Sequence, residues 1–239
     1  MSVWEENWTP GALDVDAGRR LRLSALLGRL EAVSIAHATA LGVGREKTLD
    51  RGLLWAVSRV RAEFSRVPRY DEPLVLSTWP GETMHTLFPR YYELRDGRGE
   101  RLARASSLWL LMDARTRKMA FPGEWGIEVP GCARGDEPEL PGPVAPFEGQ
   151  SSLRTVLCSE TDLNGHMNNG RYADWADDLA GGAYLLARTL RLAEINYQRE
   201  LAEGAEVTLR CLLSPDRLLV SGYEGNVRAF ALRETFSEE

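Results

Sequence analysis

The chain has 239 residues, of which 44% are hydrophobic and 27% are charged, and its formal net charge is −6 at pH 7. This length and composition are typical of one large or two small globular domains with an ample core. The negative charge argues against nonspecific binding to nucleic acid, which depends on Lys and Arg neutralising phosphates. No apolar run approaches the ~20 residues of a membrane-spanning helix, so no membrane role is expected.

The N-terminal stretch MSVWEENWTP is acidic and lacks the basic and apolar regions of a secretory signal, which favours a cytoplasmic protein. The three cysteines, Cys132, Cys158 and Cys211, lie far apart in the sequence. Their number and spacing indicate neither a disulfide framework nor a zinc-type cluster. We therefore expect no metal and no other cofactor.

In chain order, the first predicted helix follows the turn Asp14-Val15-Asp16. Its apolar residues recur at the i, i+3, i+4, i+7 spacing of a core-facing helix, at Leu23, Leu26, Leu27 and Leu30. Four β-rich segments follow, separated by turn signals, at about 53–67, 73–80, 86–95 and 101–113. A stretch rich in Pro and Gly at 122–150 then predicts an ordered linker.

The second half repeats this plan as a weak internal repeat. Asp162-Leu163-Asn164 corresponds to Asp14-Val15-Asp16, and a helix predicted over 169–187 carries the same stripe at Tyr172, Trp175, Ala176 and Leu179. Four further β-rich segments lie at about 192–201, 205–214, 217–224 and 226–236. Two copies of a helix on a curled antiparallel sheet predict an α+β protein whose sheets can join. The expected division is 1–121, a linker at 122–150, and 151–239.

The stretch from Thr161 to Arg171, TDLNGHMNNGR, concentrates polar side chains at a turn before the second helix. It offers an imidazole, a carboxylate and carboxamides, which can accept a proton, donate hydrogen bonds and position water. Asn and Asp also cap helices, because their side-chain oxygens accept bonds from the free N–H groups of the first turn. One capping residue would suffice, so we interpret the stretch as a catalytic or ligand-binding site, with Asn168 and Asn169 as turn and cap residues.

With these elements in place, the chain resembles the acyl-acyl-carrier-protein thioesterases of the FatA/FatB type from plants and bacteria. The resemblance covers nearly the whole chain, through AHATALG at 36–42, Trp55, STWP at 77–80, ASSLW at 105–109, the DxNxHxNN motif at 162–169 and YQRE at 197–200. It implies a double hotdog fold and hydrolysis of the fatty acyl thioester of acyl carrier protein. It also places the catalytic residues at Asp162, Asn164, His166 and Glu200.

Members of that family often carry a cysteine directly after the glutamate, but this chain has Leu201. We therefore expect activated water as the nucleophile, with Glu200 or Asp162 as the general base. Asn164 and His166 would position the water or bond the substrate carbonyl, and free N–H groups at the start of the second helix would polarise it. On a regular strand Glu200 would share a face with Asn196 and Gln198, so its role requires a bulge or a polar crevice between the halves.

The first half lacks a counterpart of His166, and the resemblance assigns it to the acyl pocket. The inner faces of the Leu23–Leu30 helix and of the Trp55 strand would select chain length, while His37 and His85 would be structural. The acidic carrier would dock on an arginine patch, for which the candidates are Arg98, Arg101 and Arg104 or Arg188 and Arg191. The chain would act as a monomer or a homodimer.

Three alternatives stay open on the sequence. The carrier could be coenzyme A, making the chain an acyl-CoA thioesterase. A hotdog hydratase or dehydratase also pairs an acid with a histidine, but its usual Asp-X-Asn-X-X-His spacing is one residue longer than that of Asp162, Asn164 and His166. A non-catalytic acyl-thioester binding module has no need of all four candidate residues.

Overall fold

The computed structural model describes residues 2–238, which form one antiparallel sheet of 11 strands with helices packed on it. The first half contains β1 (Trp4–Trp8), α1 (Leu23–Ala40), α2 (Arg45–Leu49), β2 (Leu53–Phe64), β3 (Leu74–Pro80), β4 (Leu87–Asp96), β5 (Arg101–Asp113), β6 (Met119–Ala120) and α3 (Pro122–Trp125). The second half contains β7 (Gln150–Thr155), a 3₁₀ turn (Cys158–Glu160), α4 (Arg171–Ala180), α5 (Gly182–Leu186), β8 (Arg188–Tyr197), β9 (Glu206–Ser214), β10 (Arg217–Glu224) and β11 (Val227–Glu238).

The strands run in the order β1-β3-β4-β5-β2-β8-β11-β10-β9-β7, with β6 paired to β5. The two halves join through β2 and β8, whose antiparallel register runs from Arg59 opposite Asn196 to Glu63 opposite Leu192. The sheet is therefore continuous across the halves, and the predicted α+β double hotdog is confirmed.

The two central helices bury the predicted stripes. In α1 the buried side chains are Leu23, Leu26, Leu27, Leu30, Val33, Ser34 and His37, and in α4 they are Tyr172, Ala173, Trp175 and Ala176. These apolar residues belong to one core that draws on both halves. Each fully buried large apolar side chain contributes roughly 1.5–3 kcal/mol, so this shared core holds the helices against each other and against the sheet.

The structure differs from the sequence prediction at four of the elements considered. The edge strands β1 and β7 were not predicted; β7, QSSLRT, is largely exposed and has no apolar alternation to reveal it. The helix expected over 169–187 is interrupted at Gly181, whose φ of 82° suits glycine. The strand expected to reach residue 201 ends at Tyr197.

The stretch between Gly126 and Gly149 has no helix or strand, but side chains of the sheet fix it in place. The Asn196 side chain accepts a bond from the Val144 N–H at 2.7 Å and donates one to the Gly142 carbonyl at 3.0 Å. Ser106 donates to the Glu139 carbonyl at 2.5 Å. Within residues 2–238, no helix combines the length and apolar character needed to cross a bilayer.

Candidate active site

The loop from Thr161 to Gly170 is held in a tight hairpin by its main chain. The Asp162 N–H donates to the His166 carbonyl at 2.9 Å, and Gly165 completes the turn with a φ of 76°. The Met167 N–H donates to the Leu201 carbonyl at 2.8 Å. The loop is thereby joined to the segment that follows β8, the segment that contains Glu200.

Glu200 lies beyond the end of the regular strand β8, so the alternation of side chains along that strand does not set the direction of its side chain. The N–H groups of Gln198 and Arg199 both donate to the Ala229 carbonyl, at 2.8 and 3.0 Å, so the pairing becomes irregular just before Glu200. Its Oε2 then lies 3.3 Å from His166 Nε2. The structure thus brings together two candidate residues that lie 34 positions apart in the sequence.

Two arginines of the first half contact candidate residues of the second half. Arg117, in the turn between β5 and β6, places Nη1 3.2 Å from Glu200 Oε1. Arg45, the first residue of α2, donates from Nη1 to Asn164 Oδ1 at 2.7 Å. Sequence reasoning missed both arginines, because no spacing or motif links them to the 162–169 stretch.

Asp162 and Asn164 each keep one polar atom for a ligand. Asp162 Oδ1 accepts the Asn164 N–H at 2.7 Å, and Oδ2 has no hydrogen-bond partner within residues 2–238. Asn164 Oδ1 is engaged by Arg45, which leaves its Nδ2 group as a donor. A carboxylate oxygen and an amide donor are therefore available side by side.

The site opens into two connected cavities between the halves. A cavity of about 670 Å³ has a polar wall that includes Arg117, His166, Tyr172, Arg199 and Glu200. A second pocket of about 170 Å³ is mainly apolar, and its lining includes Ile35, Ala38, Val43, Phe88 and Val129. Both are lined by Glu31, Arg45, Leu54, Trp55, Trp109, Asp162 and Asn164, which mark the junction.

The apolar pocket lies against a different part of α1 from the one expected. Leu23 and Leu26 are core residues, and Leu27 and Leu30 line only a gap of about 20 Å³. The pocket instead meets the C-terminal half of the helix, at Ser34, Ile35 and Ala38. The expected contribution of Trp55 agrees with its position in the lining.

Glu31 of α1 is a further polar residue of the junction that sequence reasoning missed. Its Oε2 accepts a hydrogen bond from Asn169 Nδ2 at 3.3 Å. The sequence contains one feature that could have identified this residue: Glu31 is the only carboxylate in the helix sequence LSALLGRLEAVSIAHATA. The same contact corrects the cap role expected of Asn169, because Gly170 is the N-cap residue and the Asn169 side chain points to the other half.

The start of α4 offers fewer free N–H groups than expected. Gly170 N–H donates to Asn168 Oδ1 at 3.0 Å, which agrees with the turn role predicted for Asn168. Arg171 N–H donates to the Asn168 carbonyl at 2.9 Å. Among the N–H groups of residues 169–171, and within residues 2–238, only that of Asn169 has no hydrogen-bond partner.

The remaining histidines lie apart from this loop. His37 is fully buried, with Nδ1 3.0 Å from Arg90 Nη1, and His85 lies in an exposed turn. Cys158 is exposed and does not line either cavity. Within residues 2–238, no group of three or more His, Cys, Asp or Glu side chains is placed to hold a metal ion.

The arginine clusters considered for carrier docking are largely engaged within the protein. Arg101 and Arg104 both pair with Asp136. Arg188 donates to the carbonyls of Pro215 and Tyr184, and Arg191 donates to Ser237 and to the Ser65 carbonyl. The arginines that line the large cavity are Arg45, Arg117 and Arg199.

Two central helices on one continuous sheet, with an acid, an amide and an imidazole beside an apolar pocket between the halves, define a double hotdog protein with a candidate site between its halves. Residues 1–121 match the acyl-ACP thioesterase N-terminal domain, and residues 148–226 match the acyl-ACP thioesterase C-terminal domain. The chain belongs to the acyl-ACP thioesterase family.

Relatives and solved structures agree with this assignment. A chloroplastic acyl-[acyl-carrier-protein] hydrolase of Cuphea viscosissima is 24% identical over 230 residues, which is 90% of this chain and 55% of the relative. This chain thus spans little more than half the length of that relative. The fold matches the acyl-ACP thioesterase of Bacteroides thetaiotaomicron at a TM-score of 0.87, with 23% identity over 99% of this chain and 98% of that one. It matches the 12:0-ACP thioesterase of Umbellularia californica at 0.82, with 20% identity over 100% and 98% of the two chains.

Proposed function

We propose that this protein hydrolyses the thioester of a fatty acyl chain on acyl carrier protein and releases the free fatty acid. The observation that supports this most directly is the junction of the two cavities, where Asp162 and Asn164 lie between the apolar pocket and the larger cavity with its polar wall. An acyl chain in the apolar pocket and a carrier arm in the larger cavity place the thioester beside these two residues. The family assignment supports the same reaction.

In the proposed mechanism Asp162 is the general base. Its free Oδ2 takes a proton from a water molecule while the water oxygen attacks the thioester carbonyl carbon. The tetrahedral intermediate then collapses, the C–S bond breaks with its electron pair on sulfur, and the departing thiolate takes the proton from Asp162, which returns the carboxylate to its ionised form. The Asn164 Nδ2 donor and the Asn169 N–H stabilise the charge on the carbonyl oxygen or hold the water.

We assign His166 and Glu200 a role at the polar side of the junction, since both line only the larger cavity. Glu200, held by Arg117, fixes the imidazole ring through its contact with Nε2. The imidazole then positions the attacking water for Asp162. Glu200 is the alternative general base. Substituting Asp162 and Glu200 one at a time shows which of the two carboxylates the reaction needs as its base.

The two halves have different tasks in this proposal. Residues 1–121 supply the acyl pocket together with Arg45 and Arg117, residues 122–150 connect the halves, and residues 151–239 supply the catalytic loop and Glu200. We further propose that the enzyme is cytoplasmic and acts as a monomer or a homodimer. Coenzyme A is the alternative carrier.

The test is release of free thiol from saturated acyl-ACP and acyl-CoA of medium and long chain length. We expect Asp162→Asn to lower kcat by about 10²–10⁴-fold, the usual contribution of a general base, and His166→Ala and Glu200→Gln to lower it by smaller factors. Asp14→Asn is the control, because Asp14 precedes the first-half turn that matches the loop, its carboxylate accepts a bond from the Gly11 N–H at 2.8 Å, and it lines neither cavity. It should leave kcat unchanged.

The outcomes separate the competing functions. Unchanged rates in both Asp162→Asn and His166→Ala would contradict the site. Loss of an enoyl chromophore without thiol release would indicate a hydratase. Binding of acyl thioesters without any turnover would indicate a binding module.

A further inference from the structure

Glu31 is the carboxyl group that the first half contributes to the junction of the two cavities. It lies on α1 and lines the apolar pocket, the larger cavity and a third, small gap. Asp162 lines the same junction from the second half. A thioester placed between the pocket and the cavity therefore lies between two carboxyl groups from opposite halves.

Hydrogen bonding distinguishes the two oxygens of Glu31. Oε2 accepts from Asn169 Nδ2 at 3.3 Å, and Asn169 is itself fixed, because its carbonyl accepts a bond from the Tyr197 hydroxyl at 2.9 Å. Oε1 has no protein partner within residues 2–238. If the carboxyl group carries a proton, that proton belongs on Oε1, where it is available to a ligand.

The surroundings of Glu31 shift its equilibrium towards the protonated form. Burial raises the pKa of this carboxyl group, and the negative charge of Asp162 raises it further, while the bond from Asn169 opposes the change. The other titratable or charged groups that line these cavities are Arg45, Arg90, Tyr92, Arg117, His166, Tyr172, Tyr197, Arg199 and Glu200. Arg45, the cation that shares the junction with Glu31, is hydrogen-bonded to Asn164.

Building on the proposed hydrolysis, we propose that neutral Glu31 donates a hydrogen bond from Oε1 to the carbonyl oxygen of the bound acyl thioester. The proton stays on Glu31, and the bond strengthens as negative charge develops on the oxygen during attack by water. Collapse of the intermediate returns the charge from oxygen to the departing sulfur. Two carboxyl groups at one site thus have opposite tasks: ionised Asp162 accepts a proton, and neutral Glu31 donates a hydrogen bond.

The proposed donor role of Glu31 predicts the direction in which kcat changes with pH. The donor is present below the pKa of Glu31 and is lost as the pH rises through it, so kcat should fall on the alkaline side. Glutamine keeps a donor at every pH and still offers an oxygen to Asn169. Alanine removes both groups.

The experiment compares kcat and KM of the wild type, Glu31→Gln and Glu31→Ala from acidic to alkaline pH, by thiol release. We expect Glu31→Ala to lower kcat by about 10²–10³-fold, the effect of removing one such donor. Glu31→Gln should keep most of the activity and lose the alkaline decrease. Glu46→Gln, on the exposed helix α2, is the control and should match the wild type; circular dichroism and Tm establish that each variant is folded.

Several results would overturn the proposal. They are full activity in Glu31→Ala, an unchanged alkaline decrease in Glu31→Gln, or a loss in Glu31→Gln as large as in Glu31→Ala, which would indicate that Glu31 is needed as a base.

A second measurement separates this proposal from the proposed function. In protein labelled with ¹³C at the glutamate carboxyl carbons, NMR titration should show a resonance with a raised pKa that is missing in Glu31→Gln. If Glu31 is ionised at neutral pH, the donor role is wrong even though the wild type hydrolyses acyl thioesters. If the wild type releases no thiol from any carrier, the proposed function fails, and with it the role of Glu31 in that reaction.

Discussion

At the scale of single residues, the conformation of the candidate loop depends on the backbone of Gly165. Its φ of 76° lies in the left-handed region, which costs a non-glycine residue about 1 kcal/mol or more. A Cβ atom at this position would meet no atom within 4 Å, so the cost of a side chain is purely conformational. The turn places Asn164 and His166 on either side of it.

We therefore expect Gly165→Ala to lower kcat/KM by about 10-fold or more, because small misplacements of positioned groups are costly in catalysis. The free energy of unfolding should fall by only about 1 kcal/mol. Thiol release and urea unfolding measure the two effects.

Gly28→Ala is the matched control. Gly28 lies within α1, where an added Cβ would likewise meet no atom within 4 Å, and alanine is favoured over glycine in helices by about 1 kcal/mol. This change should leave the rate unchanged and stabilise the protein. An unaltered rate in Gly165→Ala would show that the loop does not need the left-handed turn.

At the scale of elements, α4 packs on β11 across two acids, the half-buried Asp177 and the buried Glu234. Burial and the charge of Asp174 raise the pKa of Asp177 to about 7. Burial and the charge of Asp177 raise the pKa of Glu234 well above its usual range. Oε1 of Glu234 is buried without a hydrogen-bond partner within residues 2–238, so ionisation of this pair is costly in the folded state.

The sign of the resulting pH dependence follows from the raised pKa values. The folded state binds the proton more tightly than the unfolded state, so the stabilisation is complete below the ordinary carboxyl pKa and is lost as the pH rises through about 7. We expect Asp177→Asn, which cannot ionise, to be more stable than the wild type at pH 8 by roughly 1–4 kcal/mol. At pH 5, which lies between the ordinary carboxyl pKa and the raised one, only part of this difference should be present.

Urea unfolding of both proteins at the two pH values measures this difference. Asp178→Asn is the control, because Asp178 is exposed and its ion pair with Arg154 contributes little. An equal difference between Asp177→Asn and the wild type at both pH values would contradict the assignment.

At the scale of the whole molecule, the two halves share both a sheet and a core. The β2–β8 pairing makes one sheet, and the main apolar cluster contains Leu76 from β3 and Leu218 from β10. The candidate site depends on this contact between the halves, since Arg45 and Arg117 of the first half bond to Asn164 and Glu200 of the second half. We therefore expect the halves to unfold together.

The matched variants Leu76→Ala and Leu218→Ala test this expectation. Both residues are 0% exposed, so each substitution should cost about 2–5 kcal/mol. Both should lower the midpoint of the same single transition, followed in urea by circular dichroism and tryptophan fluorescence. Two separate transitions, one for each variant, would show that the halves unfold independently.

The sequence by itself determined the repeated plan of helix and strands and identified the loop that carries the candidate site. The helical stripes of α1 and α4 follow from local periodicity, and Asp162, Asn164 and His166 lie within five consecutive residues. The strands with apolar alternation were also visible, whereas β7 was not, because an exposed edge strand is held by its partner's hydrogen bonds and needs no apolar face. The family resemblance added Glu200.

Only the tertiary structure decided which groups complete the site. Glu31, Arg45 and Arg117 approach the loop because β2 pairs with β8 and α1 packs beside α4, and no local pattern encodes those distances. The irregular pairing at Ala229 likewise directs Glu200 to His166, against the alternation of a regular strand. Short-range patterns set the elements, while contacts between residues far apart in the chain are fixed only when the two halves close around a common core.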